Sequence, residues 1–346
     1  MNKPLVTSLI PTYRRPNLLK RAIKSILRNQ SVPICVQVLD NCSEDETCSV
    51  VSAFQQHDNR VKYFRHSENI GAVANFVSAL DFVKTPYFSL LSDDDIVMPQ
   101  FYEKACECLD GEPNVMFVLL KCLYVDESLH VKSILSKNIK FGINYPPEGF
   151  WEMFKFGPRT WTAIVFRSSI LENNRPEVSL SGCFDMDFLF RLAAKYPYAA
   201  INHVGAAYVC RTDSYSGTSS NVVNDIGGRL MLYKRISNLS DIPADIEKKT
   251  IYCLRRGYRR RLLQIGMDQL LKIDRENLAK TIYTLEKHGN NYTSSMLRLL
   301  MICYPWSFPF IQFWKTKEKL KGIRHLANPR ELKIWEKKLK YYASEL

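Results

Sequence analysis

Four short apolar runs, Leu5–Ile10, Cys35–Leu39, Val61–Phe64 and Tyr87–Leu91, alternate with segments of helical periodicity. Leu18, Leu19, Ala22, Ile23, Ile26 and Leu27 mark the first of these, within 17–29, and Lys20, Arg21, Lys24 and Arg28 make its other face basic. Strands alternating with helices of about a dozen residues call for a mostly parallel sheet covered on both faces. Such sheets keep their ligands at the carboxyl ends of the strands. Thr12, Asp40 and the run Ser92-Asp93-Asp94-Asp95 fall at those ends.

The acidic run is the sharpest local signal. Burying carboxylates is costly unless they are paired or bind a cation. Three of them after a buried strand suit a hard divalent cation that carries phosphate oxygens. The plain structural alternative is a solvated acidic turn before the helix that begins near Pro99.

Further on, Val115–Tyr124 reads as a strand, 141–167 as an irregular aromatic-rich region, and Asp185 as a helix start. A strand is expected at Ala206–Cys210, a mobile Ser/Gly/Asn loop at 214–224 and helices beyond about 226. With 346 residues, 46% hydrophobic and 24% charged, two domains or one domain with appendages are expected. Ten scattered cysteines without a CxxC pair, and a first strand that follows Met1–Pro4 directly, fit reduced thiols in a cytoplasmic protein. The histidines form no metal-binding spacing. Gly-x-Gly-x-x-Gly and Gly-Lys-Ser/Thr loops are absent, which removes the main support for dinucleotide and P-loop readings.

In chain order stand Pro11-Thr12-Tyr13-Arg14-Arg15, Val38-Leu39-Asp40-Asn41, Asn69-Ile70-Gly71, Ser92-Asp93-Asp94-Asp95 and Asp185-Met186-Asp187. This series, over residues 5–215, resembles family 2 of the glycosyltransferases, in particular bacterial members that build surface polysaccharide or O-antigen. The resemblance implies an α/β GT-A fold, Rossmann-like with a mostly parallel sheet between helices, to which the residues beyond about 226 add a helical C-terminal extension. It implies inverting transfer of a sugar from a nucleotide-sugar donor to a saccharide or lipid-linked saccharide acceptor. Pro11, Thr12, Tyr13, Arg15, Asp40, Asn69, Gly71 and Asp93 then match the nucleotide-sugar site. Mg2+ or Mn2+ falls to Asp94 and Asp95, or to Asp93 and Asp95 in the other register. Asp185 takes the place of the general base, and Trp161, Asp187 and Arg211 are acceptor candidates. Relatives carry His where Asp213 stands, and Arg159 lies beside the presumed acceptor wall at 163–166. A nucleotidyltransferase on a related fold and a non-catalytic nucleotide-binding scaffold are the competing readings.

The expected division is a catalytic domain over 1–225, with a nucleotide-sugar-binding half 1–110 and an acceptor-binding half 111–225, then a basic extension 226–346. The net charge of +13 sits mostly in that extension. Arg255, Arg256, Arg259, Arg260 and Arg261 form one cluster, and Lys315, Lys317, Lys319, Lys321 and Arg324 follow the aromatic stretch 296–314. Pro305, Pro309 and Arg298 interrupt that stretch too much for a membrane span. Aromatics beside Lys and Arg suit an anionic membrane surface, peripherally on the inner face of the plasma membrane. Packing on the catalytic domain or on a second copy in a homo-oligomer is the alternative. Nucleic acid is not expected, since no reader motif accompanies the arginines.

Overall fold

The computed structural model describes residues 3–158, 160–211, 231–232, 234–287, 291–303, 306–314 and 328–346. Arg159, Asp213, the 214–224 loop and the Lys315–Arg324 run lie outside the described residues.

The strands are β1 Val6–Thr12, β2 Ile34–Asp40, β3 Val61–Arg65, β4 Tyr87–Leu90, β5 Ile96–Val97, β6 Phe117–Val125, β7 Val131–Leu135, β8 Gly142–Asn144, β9 Ile164–Arg167 and β10 Tyr198–Val209. The helices of the same region are α1 Pro16–Leu27, α2 Thr47–His57, α3 Ala72–Ala79, α4 Phe101–Gly111, α5 Glu148–Phe156 and α6 Phe184–Lys195. Toward the C-terminus come α7 Ala244–Leu271, α8 Arg275–Lys287, α9 Asn291–Ile302 and α10 Pro329–Ser344.

One ten-stranded sheet has the order β3-β2-β1-β4-β9-β6-β10-β5, with β7 paired to β6 and β8 to β10. β3, β2, β1 and β4 are parallel, and β6 and β10 run the same way. β9 lies antiparallel between β4 and β6. The register aligns Thr12 with Asp40, so the carboxyl ends of β1 and β2 coincide. β1 is buried along its whole length, as expected of a strand with helices on both faces. α1 turns Leu19, Ala22, Ile23 and Ile26 inward, which anchors it over this half of the sheet.

β10 starts eight residues before the expected Ala206. Its Tyr198-Ala199-Ala200 start is buried between β6 and β8, where small side chains fit a crowded sheet. The short strands β5, β7, β8 and β9 carry too few residues to show a period of two, and the sequence reading did not separate them.

The packing divides the chain elsewhere than the expected 225/226 boundary. One compact unit is Met1–Ile246 with Ala327–Leu346, and the other is Glu247–Leu326. The return of α10 has a clear physical cause. Leu339 is fully buried among Ile96, Leu123, Val125, Ile134 and Val209, with Leu332 and Trp335 beside it. Glu336 accepts the backbone N–H of Val131 at 3.2 Å, and Tyr342 donates to the Ser25 carbonyl of α1 at 3.3 Å. Arg28 pairs with Glu345. In the second unit, Gly266 of α7 lies so close to Leu297 of α9 that an added Cβ would stand 2.6 Å from its Cδ1. Among the described residues no helix is long and apolar enough to cross a membrane.

Leu339→Ala should lower stability by about 2–4 kcal/mol, because it removes a buried side chain at the α10 contact. Ile334→Ala on the exposed side of the same helix should change it by less than about 0.5 kcal/mol. Urea unfolding of both variants measures the difference.

Candidate active site

Ser92–Asp95, one residue beyond the end of β4, turn sharply, and Asp95 N–H donates to the Ser92 carbonyl at 3.1 Å. Asp93, Asp94 and Asp95 are all buried. The solvated acidic turn is therefore excluded for this loop. Each acid is met by a different part of the fold. Thr12 Oγ1, at the end of β1, donates to Asp93 Oδ2 at 2.8 Å. Arg15 Nη1, just before α1, lies 3.3 Å from Asp93 Oδ1 and 3.2 Å from Asp94 Oδ2. Arg21 Nη2 donates to the Asp94 carbonyl at 2.6 Å. One turn further along α1, Ser25 Oγ accepts the Val97 N–H at 3.1 Å. One edge of α1 thus grips both ends of the acidic turn.

The charge is only partly compensated. Burial and the neighbouring Asp94 charge push Asp93 up to about 6, despite Arg15 and Thr12. Burial also raises Asp94, while Arg15, Arg211 and Arg21 pull it back. Asp95 is raised well above the usual carboxylate range by burial and by the Asp94 charge. Burial lowers the Arg21 guanidinium, and Asp94 and Asp95 counteract it.

Asp95, expected as a metal ligand, is committed elsewhere. Its Oδ2 accepts Thr162 Oγ1 at 2.5 Å and its Oδ1 accepts the Val209 N–H of β10 at 2.8 Å. It ties the acidic turn to the other half of the sheet. Among the described residues no group of three or more His, Cys, Asp or Glu side chains is disposed to hold a cation unaided. The chemistry still fits Mg2+ or Mn2+, which commonly take one or two carboxylates and complete their shell with substrate phosphates and water. Asp94 and Asp93, hard donors short of positive charge, suit that kind of site.

Asp40 is fully buried. Its Oδ1 accepts the Ser43 N–H at 2.9 Å, its Oδ2 accepts Tyr63 OH at 2.6 Å, and Arg65 Nε stands 3.7 Å away. It closes its own loop across Asp40–Ser43. Asn41, which the sequence reading did not single out, links this loop to the next. Its Nδ2 donates to Asn69 Oδ1 at 2.8 Å and its Oδ1 accepts the Ile70 N–H at 2.9 Å. Gly71 has φ +87°, which an L side chain rarely adopts, and a Cβ there would meet nothing within 4 Å. The open space over this backbone leaves room for a ligand. Pro11 is buried within β1. Tyr13 is half-buried, with the Arg14 guanidinium 5.1 Å from its ring centroid.

Asp185 lies in the first turn of α6, half-buried, and its Oδ1 accepts the Met186 N–H at 2.7 Å. Trp161 Nε1 donates to its backbone carbonyl at 3.2 Å. Trp161 and Thr162 are adjacent, so one dipeptide holds both Asp185 and Asp95. Ala163 follows with φ +69°, the left-handed turn that sends the chain into β9. Trp161 itself is buried against Phe166, Phe184 and Phe188, which makes it core and not an acceptor contact. Asp187 is also withdrawn as an acceptor candidate. Its two oxygens accept Arg191 Nε at 2.8 Å and Arg235 Nε at 2.7 Å. Arg211, at the end of β10, stands 3.5 Å from Glu127 and adds positive potential at Asp94.

The contacts of Arg21 and Thr162 with the acidic turn are not legible in the sequence, for different reasons. Arg21 sits among solvated lysines and arginines in sequence, but at spacing i+4 from buried Ser25 it falls on the edge of the apolar stripe. No local pattern marks Thr162, whose partner is 67 residues away.

Residues 7–174 match the family described as Glycosyl transferase family 2. A GalNAc(5)-diNAcBac-PP-undecaprenol beta-1,3-glucosyltransferase of Campylobacter jejuni is 30% identical over 175 residues, 50% of this chain and 54% of that one. An uncharacterized glycosyltransferase of Methanocaldococcus jannaschii is 25% identical over 197 residues, 56% of this chain and 66% of that one. The chain therefore spans less than two thirds of the length of these relatives. The structure of S. aureus TarS 1-349 in complex with UDP-GlcNAc superposes with a TM-score of 0.55 at 14% identity, over 71% of this chain and 70% of that one. Mannosyltransferase PcManGT from Pyrobaculum calidifontis, in complex with GDP-Man and Mn2+, gives a TM-score of 0.53 at 14% identity, over 91% and 84%. These likenesses bear on the fold, and the expected GT-A architecture holds.

Two variants should move stability in opposite directions. Arg15→Ala leaves Asp93 and Asp94 without their shared cation and should cost about 2 kcal/mol or more. Asp93→Asn removes a buried charge and should raise the Tm at pH 7. The wild-type carboxylate, with its pKa raised to about 6 from 3.8, is disfavoured in the fold wherever it is ionised. As pH falls from about 6 toward 3.8 it takes up a proton, and the Tm advantage of Asp93→Asn should shrink. Thermal unfolding across that range checks the sign.

Proposed function

We propose, on the premise of the match of residues 7–174 to Glycosyl transferase family 2, that the protein transfers a sugar, with inversion, from a nucleotide-sugar to a hydroxyl of a saccharide. We infer that this acceptor is carried on a lipid, in cell-surface polysaccharide assembly of the O-antigen kind, at the inner face of the plasma membrane. The observation that carries the reading is the Trp161-Thr162 link. It fixes Asp185 and the acidic turn to one short segment at the carboxyl end of the sheet.

The geometry supports the following roles. The loops after β1 and β2, with Pro11, Thr12, Tyr13, Asp40 and Asn69, form the floor for the base and ribose. Gly71 lets a ligand approach its backbone closely. Asp93, held by Thr12 and Arg15, faces the ribose or the cation. Asp94, with Asp93 beside it, would hold Mg2+ or Mn2+, which supplies neutralising charge to the leaving nucleoside diphosphate when bound. Arg15 and Arg211 bring further positive charge to the same place, and Arg21 keeps the turn in shape. Asp185, half-buried at the start of α6, accepts the proton of the attacking acceptor hydroxyl. The hydroxyl oxygen attacks the anomeric carbon from the face opposite the nucleotide, which gives inversion.

The test is a transfer assay with UDP-, GDP-, CDP- and dTDP-sugars and a panel of saccharide acceptors. Asp185→Asn should lower transfer by about a thousandfold, within the range for losing a positioned base, while nucleoside diphosphate still binds. Retained transfer would remove Asp185 as the base. EDTA should abolish transfer in the wild type, and full activity in chelator would remove the cation.

A further inference from the structure

The second compact unit carries an apolar face that its own packing does not use. Leu299 and Ile302 of α9, and Trp306, Phe310 and Phe313 after it, are between 51% and 89% exposed. Tyr292, at the start of α9, extends the series and is exposed as well. Their spacing of three, four and seven residues is helical, over α9 and over the helical segment 308–314 that follows it. The opposite side is already occupied. Ser294, Leu297, Ser307 and Ile311 are buried, and Leu297 is fixed against Gly266. Ser307, on that buried side, ties the following segment to α9. Its N–H donates to the Cys303 carbonyl at 3.1 Å and its Oγ to the Leu300 carbonyl at 2.7 Å, and the Ile311 N–H donates to the Ser307 carbonyl at 3.0 Å. Large side chains that the fold leaves in water, on a segment whose other face is satisfied, mark an interaction surface.

The charge around the stripe selects the occupant. Between 247 and 326 the chain has 17 Lys and Arg against 6 Asp and Glu, a net charge of +11. Arg255, Arg256 and Arg260 are exposed on α7, while Arg298, beside Leu299, is paired with Glu286 at 3.0 Å. A second copy would bring the same excess of positive charge against itself. An anionic bilayer brings the complement, and its headgroup layer favours Trp, Tyr and Phe together with Lys and Arg. The interruptions that exclude a membrane span do not hinder a segment lying in the plane of the interface.

We propose that the stripe Tyr292, Leu299, Ile302, Trp306, Phe310 and Phe313 docks the second unit onto an anionic lipid surface. This deepens the reading of a lipid-carried acceptor, and rests on it only for its biological purpose. The docking itself needs neither donor nor acceptor.

The experiment is sedimentation of the full chain with vesicles of phosphatidylglycerol and phosphatidylethanolamine, and with vesicles of phosphatidylcholine alone. The wild type should bind the anionic vesicles and release them as salt rises. Trp306→Ser combined with Phe310→Ser should lower the bound fraction at least about tenfold, since two aromatic side chains no longer leave water. Both residues are exposed, so the fold and transfer to a soluble saccharide should be unchanged. Unchanged vesicle binding by this variant overturns the proposal. Equal binding to phosphatidylcholine alone does so too, as does a dimer in light scattering that the variant disrupts. If transfer is absent while vesicle binding still depends on the stripe, the catalytic reading fails and the docking surface stands.

Discussion

Three consecutive carboxylates are drawn out of water just after β4, and the first compact unit is built around making that tolerable. An isolated buried carboxylate costs several kcal/mol even after relaxation. Here they recruit partners from several elements: Thr12 from β1, Arg15 from the approach to α1, Thr162 before β9 and the Val209 amide of β10, while Arg21 of α1 holds the Asp94 carbonyl. The acidic turn therefore pins together the two halves of the sheet. The compensation remains incomplete, because Asp93 and Asp94 share one guanidinium and both stay raised. A pocket left short of positive charge in this way is suited to a cation that arrives with a diphosphate.

The same economy of contacts organises the flanking loops. Asn41 joins the second loop to the third, and Asp40 closes its own loop through Ser43 and Tyr63. Arg14, Cys42 and Ala163 all have positive φ, so three of the site's loops turn through conformations unfavourable to their side chains. Such conformations persist where surrounding contacts over-determine them. From behind, α10 covers β5 and holds α1 through Ser25, so the last residues of the chain support the first loop of the site.

Much of this was legible in the sequence because it rests on local patterns. The alternation of apolar runs and amphipathic helices located β1 to β4 and α1, and strand ends located Thr12, Asp40 and the acids. Long-range partners were not legible. Whether Asp95 meets a cation or Thr162 depends on a contact 67 residues away. Trp161 and Asp187 were exposed to the same uncertainty, since an aromatic or an acid has one spelling whether it meets a sugar, a phenylalanine cluster or two arginines. The return of α10 was hidden because its apolar residues, Leu332, Trp335, Leu339 and Tyr342, sit in a strongly basic segment whose charge dominated the reading.

The central claim is that the acidic turn holds a divalent cation together with a nucleoside diphosphate. Electron paramagnetic resonance of Mn2+ titrated with the protein and UDP, GDP, CDP or dTDP tests it most directly. One of these diphosphates should sharply increase immobilised Mn2+, and Asp94→Asn should abolish the increase. An Mn2+ signal that no diphosphate changes, or one that Asp94→Asn leaves intact, would contradict it.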